Sequence, residues 1–226
     1  MSNEFSIPAL SVPKNIELRH EPCRQLEPDQ IHDNEYDLCA TWPNMERRNA
    51  FLCARLAARR ALVALGGDPS IPILRGDKRQ PLWPAGFTGS ISHTNQCAVA
   101  AVARTSEFKA IGLDLERASR TNILRLFERI FTTSERYFLE QLEEDQRLLT
   151  ALRCFSAKEA LYKLLSASHG AFLGFQDAEL SWDPEQRLYQ VNLLGHARNR
   201  LPTSLKVHSS YNSDFVFSAT WLGQFD

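Results

Sequence analysis

Between Ile111 and Glu116 the chain alternates strictly, with Ile111, Leu113 and Leu115 interleaved with Gly112, Asp114 and Glu116. An extended strand sends successive side chains to opposite faces, so this stretch predicts one apolar face and one wet face carrying both carboxylates. Asp and Glu are poor strand formers. Like charges on one face repel unless a cation lies between them, and a divalent ion is the natural candidate. Gly112 removes a side chain from the acidic face and predicts room there for a bulky polar ligand.

A second stretch, Phe155-Ser-Ala-Lys-Glu-Ala-Leu-Tyr-Lys163, has helical spacing. Phe155, Glu159 and Lys163 form one row, and Cys154, Ala157, Leu161, Leu164 and Leu165 form the apolar stripe beside it. Taken singly, Glu159 and Lys163 are an ordinary i, i+4 surface pair, and Asp114 with Glu116 is a solvated strand edge. Taken together, three carboxylates and an ammonium suit Mg²⁺ bound to a phosphate, because that ion takes few carboxylates and completes its shell with water and phosphate oxygens.

At 226 residues the chain can form one large domain or two small packed halves, and 43% hydrophobic residues suffice for a core. A net charge of −1 leaves no global field to recruit nucleic acid or a membrane surface, so any basic site must be local. The five cysteines are odd in number, widely spaced and without a CxxC pair, which predicts a reducing cytoplasmic setting rather than a disulfide framework or zinc ribbon. Glu4 near the start and the lack of a long apolar run predict no signal peptide and no membrane span.

Residues 1–44 offer short apolar pieces, Phe5-Ser-Ile7 and Ile16-Glu-Leu18, readable as edge strands with no assigned chemistry. From Met45 to Leu65 the periodicity predicts a helix that buries Phe51, Ala54, Ala58, Ala61, Leu62 and Leu65 and is ended by Gly66-Gly67. Its polar side carries Arg47, Arg48, Arg55, Arg59 and Arg60. Arg48, Arg55 and Arg59 fall near one face, either a solvated surface or a row of forked donors for phosphate. Ile71–Leu74 reads as a short strand and Arg75-Gly-Asp-Lys78-Arg79 as a basic turn. Gly89-Ser-Ile-Ser-His93 leads into a buried strand over 98–103. Helices are predicted over 121–130, over 134–142 with Thr133 or Ser134 as cap, and over 145–167. Four antiparallel strands are predicted at 179–182, 188–191, 205–208 and 215–221.

The pair GLDLE and FSAKEALYK resembles the joint signature of the 4′-phosphopantetheinyl transferase superfamily, and RRNAFLCARLAAR resembles that family's N-terminal helix. The order RGDK, WP, GSISH is similar to the subgroup related to bacterial siderophore-synthesis enzymes of the enterobactin synthetase component D type. Relatives often carry Gly soon after the His, where this chain has Thr94-Asn-Gln-Cys97. The resemblance implies an α+β fold of two similar α+β subdomains related by a pseudo-twofold axis, with the active site in the cleft between them. The divisions expected are 1–105 for coenzyme A phosphate contacts and 106–226 for the metal carboxylates and carrier-protein docking, with docking around 121–145.

By that resemblance, coenzyme A is the co-substrate and its phosphates meet Arg47, Arg55, Arg75, Ser92 and His93, with Lys158, Lys163 and Asp114 also at the ligand. The family alignment selects Arg47 where helical geometry selects Arg48. Asp114, Glu116 and Glu159 hold Mg²⁺, with Mn²⁺ as a substitute. Glu159, or a water on the metal, is the base, and Lys163 serves the departing phosphate. The implied reaction moves 4′-phosphopantetheine to a serine of an acyl or peptidyl carrier protein of fatty-acid, polyketide or nonribosomal peptide synthesis and releases adenosine 3′,5′-bisphosphate. A monomer suffices. Two other readings stay open: a Mg²⁺-dependent coenzyme A or nucleotide phosphohydrolase, and a non-catalytic module that binds coenzyme A or a carrier.

Overall fold

A computed structural model describes residues 6–170, 173–199, 201, 202 and 204–225. Phe5, the first residue of the Phe5-Ser-Ile7 piece, lies outside the described residues, as does Phe172 of the aromatic turn Phe172-Leu-Gly-Phe175, which also resembles the family. In chain order the elements are β1 (Glu17–Pro22), α1 (Asp33–Asp37), α2 (Met45–Ala64), β2 (Leu74–Arg75), β3 (Pro81–Leu82), β4 (Phe87–His93), β5 (Cys97–Arg104) and β6 (Phe108–Arg117). They are followed by α3 (Phe127–Ile130), α4 (Thr133–Glu140), α5 (Glu144–His169), β7 (Ala178–Asp183), β8 (Leu188–Leu193), β9 (Lys206–Tyr211) and β10 (Phe215–Gly223). The fold is α+β, with two antiparallel sheets ordered β1-β5-β4 and β6-β10-β9-β8-β7, and a small β2-β3 hairpin.

Local signals explain the helix ends. The Asn44 side chain accepts from Arg47 N at 2.8 Å to open α2. At its end Gly66 adopts φ +77°, which a side chain would strain, and Gly67 N returns to Leu62 O at 2.8 Å. The expected 134–142 helix begins one residue earlier, because Thr132 caps it and Glu135 closes a reciprocal capping box. The 121–130 stretch divides into a 3-10 segment at 122–126 and the short α3. Of the predicted Ile71–Leu74 strand only Leu74 is extended in β2, and residues 6 and 7 form no strand.

Strand alternation builds the core in three layers. On β5, Ala100 and Val102 pack under α2, whereas Val99, Ala101 and Ala103 face the opposite way. There they meet Ile111, Leu113 and Leu115 of β6 and Phe215, Phe217 and Ala219 of β10 in one apolar layer shared by both sheets. The far side of the second sheet packs under α5 through Ala157, Ala160, Leu161, Leu164 and Leu165. Each half is thus a long helix on an antiparallel sheet, but with three strands in one and five in the other. The apolar layer crosses the tight turn at 105–107 that joins β5 to β6, so the halves share a core instead of meeting across a polar gap.

The sheets also join at a seam between β4 and β6. Ser90 Oγ accepts from Leu113 N at 3.1 Å and Ser92 Oγ accepts from Leu115 N at 3.2 Å. Side-chain hydroxyls of β4 therefore satisfy backbone donors of β6 that would otherwise be buried unpaired.

Candidate functional site

The predicted alternation of Ile111–Glu116 holds, and its apolar face lies in the shared core. The other face is not wet, because α5 covers it. A Cβ on Gly112 would stand 1.9 Å from Ala160 O and 2.7 Å from Leu164 N, so Gly112 exists for close approach of helix to strand and leaves no room for a ligand. That approach puts Lys163 on Asp114. Lys163 Nζ donates to Asp114 Oδ1 and to Leu113 O, both at 2.9 Å, and to Ser92 Oγ at 3.2 Å. Ser92 Oγ in turn donates to Asp114 Oδ1 at 3.0 Å. Asp114 is 4% exposed, and its other oxygen, Oδ2, is buried without a hydrogen-bond partner.

Glu116 and Glu159 flank this pair. Burial, and secondly the charge of Asp114, pushes the Glu116 carboxyl up to about 7, against the opposing pull of Arg120. Glu159 is raised by the same two causes in the same order, opposed by Lys163 and Arg120. Arg120 Nη1 donates to Glu116 Oε1 at 2.5 Å, its Nε donates to Asn122 Oδ1 at 2.9 Å, and its guanidinium stands 4.8 Å from the Phe155 ring centre. Sequence reasoning missed Arg120. Its signal was faint, since only the turn after β6 folds it back onto Glu116.

The expected convergence of Asp114, Glu116 and Glu159 on one ion is not preassembled. Among the described residues no three His, Cys, Asp or Glu side chains form a group able to hold a metal. The physical reason is that the chain's own cations, Lys163 and Arg120, already take carboxylate oxygens. The donor set still suits a hard divalent ion: all ligating atoms are carboxylate oxygens, Asp114 Oδ2 is buried and unsatisfied, and the two glutamates are raised first by burial and then by the charge of Asp114, which a cation would offset.

Cations from the first half approach the same place. His93, at the end of β4, keeps a solvent-exposed edge, yet the atoms crowding its ring, and then the charges of Lys163, Arg55 and Arg47, push it below the usual imidazole value, to about 4. Arg55 is 5% exposed, donates from Nε to Ile73 O at 3.1 Å and lies 4.1 Å over the Phe51 ring. Burial first, and Arg75 among the lesser causes, lowers it to about 10. Arg47 and Arg75 both face the Trp42 ring, at 4.8 and 5.7 Å. The helical row of Arg48, Arg55 and Arg59 does not survive as a phosphate fork. Arg48 donates to Ala40 O, and Arg59 is held by buried Glu35 at 2.5 Å and by Gln30 O at 2.7 Å. Glu35 also accepts from Ile73 N at 2.9 Å, giving the segment before α2 a bracing role that its irregular pattern did not signal.

Ser92 is buried against Asp114 and Lys163, so its hydroxyl serves the seam instead of lying open to a phosphate. Lys158, expected as a phosphate contact, is elsewhere. It is 0% exposed and donates to Ile130 O at 3.2 Å and to Phe175 O and Ala178 O at 2.7 Å, with Glu135 at 2.8 Å. One step along α5 from Glu159 turns its side chain into the core, where it ties α5 to the end of α3 and the start of β7.

Two clefts flank the Asp114–Lys163 pair. One, of about 910 Å³, lies between the basic hairpin turn at Asp77–Gln80 and α5, with Glu159, Tyr162 and Lys163 in its wall. The other, of about 520 Å³, is lined by His93, Thr94, Glu116 and Arg120.

Fold and site together define a class of α+β protein in which buried carboxylates and a cluster of cations face one another at the seam of two antiparallel sheets. Family models agree with that class: residues 40–103 match the 4′-phosphopantetheinyl transferase N-terminal domain and residues 110–219 match the 4′-phosphopantetheinyl transferase superfamily. The chain belongs to the 4′-phosphopantetheinyl transferase superfamily. It is 34% identical to 4′-phosphopantetheinyl transferase Npt of Nocardia iowensis over 62% of this chain and 61% of that protein. It is 34% identical to PptT of Mycobacterium tuberculosis over 62% and 60%. It is 36% identical to enterobactin synthase component D of Salmonella typhi over 60% and 55%. The chain thus matches less than two thirds of the length of these curated relatives.

Proposed function

We propose that this protein transfers 4′-phosphopantetheine from coenzyme A to a serine hydroxyl of a carrier protein and releases adenosine 3′,5′-bisphosphate. The observation that carries the reading is the Lys163–Asp114 contact, which joins the two signature segments beside Arg47 and Arg55 of α2 and the His93 imidazole of β4. In this reading residues 1–105 and 106–226 act as two pseudo-symmetric subdomains around the cleft.

The chemistry is largely positioning and charge stabilisation. Arg47, Arg55 and Arg75 hold the phosphates of coenzyme A. His93 enters neutral, since its pKa lies well below 7, and donates one ring N–H to a phosphate oxygen. Lys163 neutralises charge building on the leaving phosphate, and Asp114 holds that ammonium in place. Glu159, whose carboxyl is raised above the usual range, is suited to take the serine proton. Asp114, Glu116 and Glu159 would hold Mg²⁺, or Mn²⁺ in its place, which when bound offsets pyrophosphate charge as the bond breaks.

The carrier is proposed to dock where Leu124, Leu126, Tyr137 and Phe138 stand exposed, a set of apolar side chains in the stretch before α5. The carrier is one of fatty-acid, polyketide or nonribosomal peptide synthesis, and the similarity to enterobactin synthase component D makes a siderophore-synthesis carrier one to include in the test. No described helix is long and apolar enough to cross a membrane. Five free thiols accord with the reducing setting of a cytoplasmic enzyme, and because one chain supplies both halves of the cleft a monomer suffices.

The test is to incubate purified protein, coenzyme A and Mg²⁺ with apo carrier proteins from unrelated pathways, following carrier mass and nucleotide release. Modified carrier with equimolar adenosine 3′,5′-bisphosphate is the expected result. Nucleotide release without any carrier would instead favour a phosphohydrolase, and tight coenzyme A binding with no product would favour a binding module.

A further inference from the structure

Arg47 and Arg55 of α2 and Arg75 of β2 carry the same charge and yet converge, so something other than a counter-charge must hold them. Among the described residues no carboxylate forms an ion pair with any of the three. The charge of Glu35 reaches Arg55, but the two oxygens of Glu35 are taken by Arg59 and by Ile73 N. Other arginines of α2 are committed elsewhere, Arg48 to Ala40 O, Arg59 to Glu35 and Arg60 to Glu21.

What meets the three is a pair of aromatic rings. The Trp42 ring centre stands 4.8 Å from the Arg47 guanidinium and 5.7 Å from that of Arg75, and the Phe51 ring centre stands 4.1 Å from that of Arg55. The two rings meet edge to face, with centres 5.2 Å apart and planes at 63°. Arg55 Nε donates to Ile73 O at 3.1 Å, which ties the helix to the chain entering β2. Trp42 is itself fixed. Its N donates to Cys39 O at 2.9 Å, and its half-buried ring packs on the apolar cluster of Leu26, Phe51 and Leu52. It lies in the 1–44 stretch, which carried no assigned chemistry.

We propose that Trp42 is a positioning residue whose ring holds Arg47 and Arg75 together, so that with Arg55 they meet the phosphates of coenzyme A as a preformed set. The choice of ligand rests on the proposed function. The negative face of an indole attracts a guanidinium without using any of its N–H donors, whereas a carboxylate partner, as on Arg59, occupies them. The forked donors of Arg47 and Arg75 therefore stay available for bidentate phosphate contacts. An arginine side chain that is already ordered also loses less freedom when the anion arrives, and the saving appears as affinity.

Titration calorimetry of the full-length protein with coenzyme A and, separately, with inorganic pyrophosphate tests the role. Trp42→Leu keeps apolar bulk against Phe51 but has no π face, and Trp42→Phe keeps a ring. Dissociation constants for both ligands are expected to rise about 10-fold in Trp42→Leu, the scale of two partly exposed cation–π contacts, and to stay within about 3-fold of the parent in Trp42→Phe. In carrier loading, the KM for coenzyme A rises in Trp42→Leu while kcat holds, because the arginines add binding and take no part in bond breaking. Leu26→Ala, a truncation in the same apolar cluster that removes no ring, leaves coenzyme A affinity of the folded protein at the parental level. Parental affinity in Trp42→Leu, or an equal loss in all three variants, overturns the positioning role and leaves the proposed transfer standing. Parental protein that binds neither coenzyme A nor pyrophosphate overturns the proposed function and this inference with it.

Discussion

Lys163 Nζ stands 2.9 Å from Asp114 Oδ1 although 49 positions separate the two residues in the chain. The contact exists because α5 sits unusually close on β6, and the same carboxylate oxygen accepts from Ser92 of β4. One carboxylate therefore ties together three elements, one from the first half and two from the second. The carboxyl of Asp114 is deeply buried, so the ammonium is what makes its charge tolerable there.

Replacing that ammonium separates its chemistry from its packing. Lys163→Met is expected to lower carrier modification by at least about 100-fold, the scale of losing one charge-stabilising donor. It also destabilises the fold by about 1–3 kcal/mol, because Asp114 loses its charged partner. Lys163→Arg does not restore the rate, since a planar fork cannot reach Asp114 Oδ1, Leu113 O and Ser92 Oγ as one ammonium does. Transfer of fluorescent coenzyme A onto a carrier, with denaturant midpoints in parallel, measures both effects.

Lys158 makes the opposite prediction. Lys158→Met removes an ammonium that serves Glu135 and three buried carbonyls, and is expected to destabilise by about 3–5 kcal/mol. Coenzyme A affinity per folded molecule stays at the parental level, as calorimetry on the folded fraction at low temperature would register. A selective loss of coenzyme A binding with unchanged stability would return Lys158 to the phosphate site.

Gly112→Ala tests the close approach of helix and strand. The added Cβ meets Ala160 O at 1.9 Å, and backbone cannot yield as a flexible side chain can. A loss of at least about 3 kcal/mol, the upper end of overpacking, is expected together with loss of transfer as Lys163 moves off Asp114. Near-parental urea midpoints would show that the helix does not sit where it is described.

Glu116 sets a pH dependence. Its carboxyl is raised from 4.5 to about 7, mainly by burial, so over that window the folded protein binds more protons than the unfolded chain. Stability contributed by this group is present at the acid end and lost as pH rises through the window. Glu116→Gln, which cannot ionise, is expected to flatten this part of the urea-midpoint profile. A profile identical to the parent's would exclude Glu116 as its source.

Much of the site was legible in the chain because local periodicity carries it. The alternation at Ile111–Glu116 placed the apolar and acidic faces, and the four-residue row placed Glu159 beside Lys163. Periodicity also ordered Arg48, Arg55 and Arg59 on one face, but could not see that Gln30, Glu35 and Ala40 would claim the outer two. Lys158 was misplaced for a related reason: a basic residue inside a signature invites a ligand contact, and only the fate of the carbonyls at Ile130, Phe175 and Ala178 shows its real work.

Sequence by itself determined the long strands, the long helices and the family, because those depend on side-chain spacing within a few residues of one another. Tertiary structure alone decided that Gly112 admits a helix and not a ligand, that Lys163 and Arg120 already hold oxygens of Asp114 and Glu116, and that Lys158 lies in the core. Those outcomes turn on which distant backbone fills a space or reaches a charge, and contacts between remote segments leave no period in the chain.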